Sequence, residues 1–425
     1  MPDAAALAQH VVLISIDALR PAFFQDERWP APTLQQFASE GVFARQVRSV
    51  FPALTYPAHT TIVTGARPAR HGVFHNRPFE PLVASGQWLW SASNIRVPTL
   101  WDAVRAHGGT TASISWPVTV GAAIDWNIPD IWSEKDERTV ALVRAHATPP
   151  GIIEELERNA CGPLRDENFA VNRLTREDRV GAIGAYLFER FQPSLLMMHL
   201  ISTDHIQHET GRDNPKTRRA VGAADRAVGQ VLEVVERVGK RDCTAFVVTG
   251  DHGSADVHTR LAPNVWLRQA GLLGFSDWRA VFFASGGSAF LRARDDNPEY
   301  ACEAKAVIDG LPRAVRALFR VVERAELDDE GADPDSAFAL VASPGIAFTE
   351  ARTGEALRAA TGAAHGYDPD EPEMLTGFIG SGAGFRKGAV APRMRLESVA
   401  PVVAHLLGLK FDAPDGVLLP GFFVK

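Results

Sequence analysis

VVLISID, residues 11–17, decides the fold: a largely β-branched apolar run closed by an aspartate. Unbroken apolarity, in place of the alternation of a half-exposed strand, predicts a strand buried on both faces, as in a parallel sheet. SLLMMHL (194–200), TAFVV (244–248) and MLTGFI (374–379) read the same way. Helical patterns lie between them. Residues 33–40 and 99–106 each start with a capping threonine behind a proline, and 218–238 puts Val221, Ala224, Val228, Leu232 and Val235 on one face. Strands alternating with helices predict an α/β protein with a mostly parallel central sheet. Ligands of such a sheet gather at the carboxyl ends of its strands.

Two stretches break that rhythm. Residues 133–191 are charged and helical in pattern, which suggests a lid or peripheral segment. Residues 261–349 mix short strand-like runs with a helix-like stretch, which suggests a small inserted α+β subdomain. The core is then expected over 1–260 and 350–425.

The 35 glycines and 28 prolines among 425 residues are far from a low-complexity composition. Lys and Arg number 44 against 51 Asp and Glu, a formal charge of −7, which argues against a protein that coats nucleic-acid polymers. Three scattered cysteines (Cys161, Cys243, Cys302) form neither a disulfide framework nor a CxxC site. No apolar run approaches the roughly 18 residues of a membrane span, and the start lacks a basic n-region. A cytoplasmic location is the simplest expectation, or a periplasmic one if a leader was removed. The oligomeric state stays open, a homodimer being one possibility.

Polar residues mark the strand ends. Asp17 follows the first strand, Asp204 and His208 the second, Asp251 and His252 the third, and His365 precedes the last. Carboxylate oxygen and imidazole nitrogen are ligand types for zinc and related divalent ions, and six such groups suffice for a two-metal site with open positions. Asp204 and His208 are i and i+4, which places them on one helical face. Gly253 would let the adjacent Asp251 and His252 converge. In SVFPALTYPAHTTIVTG (49–65), Thr55 offers a hydroxyl that a divalent ion could activate.

The assembled blocks VVLISIDALRP, FPALTYPAHTTIVTGARPARHGVFHN, STDHIQHETG, TGDHGSADVH and HGYDPDEPEMLTGFIGSGAGFRKG resemble, in order, the type I phosphodiesterase/nucleotide pyrophosphatase family of the alkaline phosphatase superfamily. The resemblance implies a doubly wound α/β/α sandwich. It implies two divalent ions, zinc being expected, one held by Asp204, His208 and His365 and the other by Asp17, Thr55, Asp251 and His252. Thr55 would be the nucleophile, passing through a phosphothreonine, and Asn76 would steady a phosphoryl oxygen. Tyr56 and Trp116 are the candidate substrate contacts, Trp116 within a run of tryptophans from Trp88 to Trp132. His59, His71, His75, His205, His258 and Asp368 are read as packing, solvent-facing or supporting residues.

The expected substrate is a small phosphate ester. Residues 113–129 carry no Lys or Arg to balance the extra charge of a monoester, which favours a diester or pyrophosphate. A phosphomonoesterase or a phosphonate hydrolase on the same core is the alternative. A catalytically inactive binding protein is the alternative from another class.

Overall fold

The sequence pattern becomes eight central strands in a computed structural model that describes residues 6–82, 86–132, 138–171 and 173–424. They are β1 (His10–Ile16), β2 (Val42–Arg48), β3 (Thr111–Ile114), β4 (Trp126–Ile128), β5 (Leu195–Leu200), β6 (Thr244–Thr249), β7 (Thr376–Gly382) and β8 (Ala389–Ala391). The sheet runs β8-β2-β7-β6-β1-β5-β3-β4, with the two-residue strand Met394–Arg395 also on β2. β1 lies parallel between β5 and β6. The segment anticipated at 374–379 starts two residues later and runs antiparallel to both of its neighbours, so the sheet is mixed.

Every residue of β1 is buried. Val12, Ile14 and Ile16 join one apolar cluster, Val11 and Leu13 another on the opposite face, as an unbroken apolar strand requires. Each such side chain contributes about 1.5–3 kcal/mol by leaving water. Pro215–Arg237 buries Val221, Ala224, Val228, Val231 and Val235, while Leu232 sits at the edge of the stripe. The carboxylate of Asp225, from that helix, accepts the N–H groups of Thr33 and Leu34 at the start of Pro32–Glu40.

Ala280–Ser285, Ser288–Ala293, Phe319–Glu323 and Phe338–Ala342 form a separate antiparallel sheet, whose apolar cluster also takes in Val257, Leu261, Ile346 and Phe348. A third sheet pairs Ala255–Leu261 with Gly345–Phe348, Leu357–Ala359 and Ala363–Ala364, and so delivers His365 next to the strand ends. Of the stretch 133–191, residues 133–137 fall outside the described residues; helices Thr139–His146 and Arg173–Phe191 occupy much of the rest. Among the described residues no helix is long and apolar enough to cross a membrane.

Candidate metal centre and cleft

The order β6-β1-β5 brings three carboxylates side by side. Asp17 follows β1 directly and Asp251 follows β6. Asp204 lies in the first turn of helix Ser202–Thr210, which follows β5. That helix sets His208 Nε2 3.2 Å from Asp204 Oδ2, as the i, i+4 spacing requires. The sharp turn after β1 puts Ala18 at φ 54°, and its N–H donates to Asp251 Oδ1 at 3.0 Å. Gly253 is needed for clearance more than for flexibility, because a Cβ there would come within 1.9 Å of the Glu373 carbonyl oxygen.

Two groups of ligand atoms are close enough to share an ion: Asp17, Asp251 and His252, and Asp204, His252 and His365. His252 stands between them. Its Nε2 is 3.2 Å from Asp251 Oδ2 and 3.5 Å from Asp17 Oδ1, and its ring stacks on His365 at 3.8 Å. His365 Nε2 is 4.0 Å from Asp204 Oδ1. All six strand-end residues of the sequence reading therefore converge.

The protein chain alone does not satisfy this cluster. Nδ1–H of His208, His252 and His365 donates to the carbonyls of Ala363, Gly253 and Ala53, which turns each Nε2 lone pair inward. Asp17 Oδ1, Asp204 Oδ1 and Asp251 Oδ2 are buried without a hydrogen bond. Inward lone pairs and orphaned carboxylate oxygens are what divalent cations complete.

Electrostatics agree. Burial, then the charges of Asp251 and Asp204, push Asp17 well above the usual carboxylate range, and burial also raises Asp251. Burial would raise Asp204 too, but His208, then His365 and His252, outweigh it and hold it low. Burial depresses His252 to about 4. In His365, burial and then His252 bring the value to about 3. In His208 the Asp204 carboxylate overcomes burial and raises it.

Thr55 opens helix Thr55–Thr64, whose capping position, Leu54, supplies no side-chain acceptor. First-turn N–H groups are therefore left for an anion or a neighbour. Tyr56 N–H donates to Asn76 Oδ1 at 2.9 Å, so the Asn76 amide nitrogen is available to the cleft. Thr55 Oγ1 lies 3.4 Å from His252 Nε2. His59 supports the turn with Nδ1–H to the Thr55 carbonyl, 2.8 Å away.

The cleft, about 300 Å³, is walled by Asp17, Thr55, Asn76, Asp204, His208 and His365, and Tyr56, Trp88, Trp132 and Asp130 complete much of its lining. Tyr56 donates its hydroxyl to Asp130 at 3.1 Å. The expectation for Trp116 is corrected: it is fully buried, packs edge-on against His59 and does not line the cleft. Its place is taken by Trp88 and Trp132, from the same run of tryptophans. His205 also faces the cleft.

Sequence reasoning missed three residues. His199, within β5, sits 3.3 Å from Asp17 Oδ2 and lines the cleft; its signal was a lone imidazole in an apolar run. Asp130 left no signal in its loop. Arg77 lines a second cavity of about 210 Å³ that shares Asn76, Trp88, His208 and His365 with the main cleft. Among the residues lining the main cleft there is no Lys or Arg.

An α/β fold with buried carboxylates and imidazoles at parallel strand ends, facing a hydroxyl at a helix N-terminus, defines an enzyme with a candidate metal centre. The chain belongs to the type I phosphodiesterase/nucleotide pyrophosphatase family, whose model matches residues 11–368, and is a hydrolase of that kind. It is 22% identical over 428 residues to human ectonucleotide pyrophosphatase/phosphodiesterase family member 7, covering 96% of this chain and 82% of that protein. It is 21% identical to a bis(5'-adenosyl)-triphosphatase of Mus musculus, covering 97% and 80%. Human ectonucleotide pyrophosphatase/phosphodiesterase 5 superposes with a TM-score of 0.71 at 19% identity, covering 96% of this chain and 97% of that one. An inactive variant of the murine protein, in complex with AMP, gives 0.68 at 20% identity, covering 95% and 96%. These structures share the alkaline-phosphatase-like fold.

Proposed function

We propose that the chain hydrolyses phosphodiester or pyrophosphate bonds of small nucleotide-type substrates, with Thr55 as nucleophile and a phosphothreonine intermediate. The observation that carries this reading is Thr55 Oγ1, at a helix N-terminus, set against His252 amid the orphaned carboxylates. Asp204, His208 and His365 would hold one divalent ion, and Asp17, Thr55, Asp251 and His252 the other, zinc being the expected metal. When bound, such ions neutralise phosphate charge and favour the ionised hydroxyl. The rest falls to the chain. Asn76 donates its amide to a non-bridging oxygen, Tyr56 N–H keeps that amide turned, and His59 holds the Thr55 turn in place.

A diester is supported by the lack of any Lys or Arg along the main cleft, where Asn76 adds a donor without a full charge. Trp88 and Trp132 provide faces for a planar base, with buried Tyr56 packed edge-on behind Trp88, and the murine relative bound to AMP is consistent with such an occupant. The test compares bis-nitrophenyl with mono-nitrophenyl phosphate in wild type and Thr55→Ala. Wild type should prefer the diester by more than about tenfold, a difference of 1.4 kcal/mol. Thr55→Ala should lose nearly all turnover while melting normally, and Thr55→Ser should retain part of it. Near wild-type turnover by Thr55→Ala would make water the nucleophile.

A further inference from the structure

Outside the strand-end cluster, three distant segments bring together a serine, a histidine and an aspartate. His75 comes from the loop that carries Asn76, Ser285 from the end of Ala280–Ser285, and Asp333 from the turn after Arg324–Glu330. His75 Nδ1 lies 3.1 Å from Ser285 Oγ, and its Nε2 lies 3.1 Å from Asp333 Oδ2. Asp333 is fully buried, fixed by Arg292 Nη2 at 2.7 Å and by the Ser336 hydroxyl at 2.8 Å. Edge-on contacts with Phe283 and Phe290 lock the imidazole plane.

Proton accounting gives the array a direction. Burial would raise Asp333, but the hydrogen bond from His75, then the charge of Arg292, outweigh it and hold the carboxylate well below its usual range, hence an acceptor only. His75 must then donate Nε2–H to it, which leaves the Nδ1 lone pair for the Ser285 hydroxyl proton. A hydroxyl bonded to a base that is itself oriented by a third group is the arrangement of an activated nucleophile. Ser285 and His75 both line the 210 Å³ cavity, which shares Asn76, Trp88, His208 and His365 with the main cleft; Arg77 stands alongside as a donor, and Leu54 and Phe283 as apolar wall.

We propose that Ser285 is a second nucleophile, with His75 as its base and Asp333 as the orienting group, acting on short-chain carboxylic esters in this cavity. Ser285 Oγ bonds to the carbonyl carbon while its proton moves to His75 Nδ1, and Arg77, whose guanidinium also pairs with Glu350 at 3.0 Å, is the cationic donor in the cavity for the developing oxyanion. Collapse breaks the carbon–oxygen bond to the alcohol, which leaves with the proton from His75. A water then gives its proton to His75 Nδ1 and its oxygen to the acyl carbon. Ser285 departs and recovers the proton, so the net change is ester plus water to acid plus alcohol. The cavity is small beside the roughly 300–1,000 Å³ of most ligand sites, which limits the acyl chain.

The test uses the full chain in a Thr55→Ala background, so that the other candidate nucleophile is absent. Incubation with an alkyl fluorophosphonate should give one adduct per chain, mapped by peptide mass spectrometry to Ser285. It should disappear in Ser285→Ala, and His75→Gln should slow labelling by about 10²-fold or more, the usual contribution of a general base. A burst of nitrophenol from p-nitrophenyl butyrate should follow the same pattern. Because buried substitutions can disturb folding, Ser285→Cys provides a second readout. Its thiol should react with iodoacetamide faster than exposed Cys302 in the same molecule. An adduct elsewhere, no adduct, or a Ser285→Cys thiol no faster than Cys302 would each overturn the proposal.

Discussion

Asn76 is useful because the two ends of its amide face different partners. Its oxygen accepts the Tyr56 N–H, so the nitrogen is the end left for a phosphoryl oxygen. Asn76→Ala should therefore lower kcat by about 10²–10³, the usual cost of one such donor, with a smaller change in KM. Asn76→Asp keeps the acceptor but places a carboxylate against the anion, and should be the slower variant. Steady-state kinetics on a nitrophenyl diester decide both; equal kcat in wild type and Asn76→Ala would remove Asn76 from the reaction. Asp17, Asp251 and His252 were legible as single residues because polar groups closing apolar strands are conspicuous. Arg77 and Asp130 were not, since a charged residue in a loop ordinarily faces water.

Helix Ser202–Thr210 carries both Asp204 and His208, so whatever fixes its N-terminus fixes part of the metal centre. The residue before it supplies no side-chain cap; instead the buried carboxylate of Glu177 accepts the Ser202 N–H at 2.6 Å. Glu177→Ala should cost about 1–2 kcal/mol of stability through the lost cap, read as a lower urea midpoint. It should also release metal at lower chelator concentration, because the ligands lose their frame. The short helix Pro68–His71, which follows Thr55–Thr64, ends on a buried histidine. His71 accepts the Val73 N–H at Nδ1, lies 3.1 Å from the Thr61 hydroxyl, and is depressed by burial from 6.5 to about 3. Its folded value lies below the unfolded one, so its contribution is complete above pH 6.5. It is lost as pH falls towards 3, where the unfolded chain takes up a proton that the folded chain refuses. His71→Gln should flatten the acid limb of stability by up to about 1.4 kcal/mol per pH unit between those values. Urea titrations across pH 7 to 4 on chelated protein would show it, and parallel limbs would reject it.

The strand order β6-β1-β5 concentrates negative charge where the surroundings exclude water. Asp17, Asp204 and Asp251 are 4%, 14% by side chain and 0% exposed. Without cations they are relieved only by protons or by the flanking histidines. Elemental analysis of protein purified without chelator should find about two equivalents of divalent metal, as a two-ion centre requires. Chelation should lower Tm, because an ion that binds only the folded state stabilises it by about 2.7 kcal/mol at a free concentration 100 times its Kd. An unchanged Tm and full activity in excess chelator would defeat the metal-centre reading.

The periodic elements and the chemistry at their ends follow from local sequence. Apolar runs such as VVLISI can only be buried, and Asp204 and His208 share a face because helical geometry leaves no other outcome. The motif blocks were legible because their spacing is local. Whatever depends on distant segments meeting follows only from the packed chain. β7 pairs antiparallel in a mostly parallel sheet, a choice that strand composition does not encode. Trp116 and Trp88 have the same side chain, yet one is sealed beneath His59 and the other walls the cleft. Glu177 caps a helix 25 residues away, and Ser285, His75 and Asp333 meet across more than 200 positions of chain. A side chain's chemistry is a property of its residue. Its partners are a property of packing, which long-range contacts set and no local pattern contains.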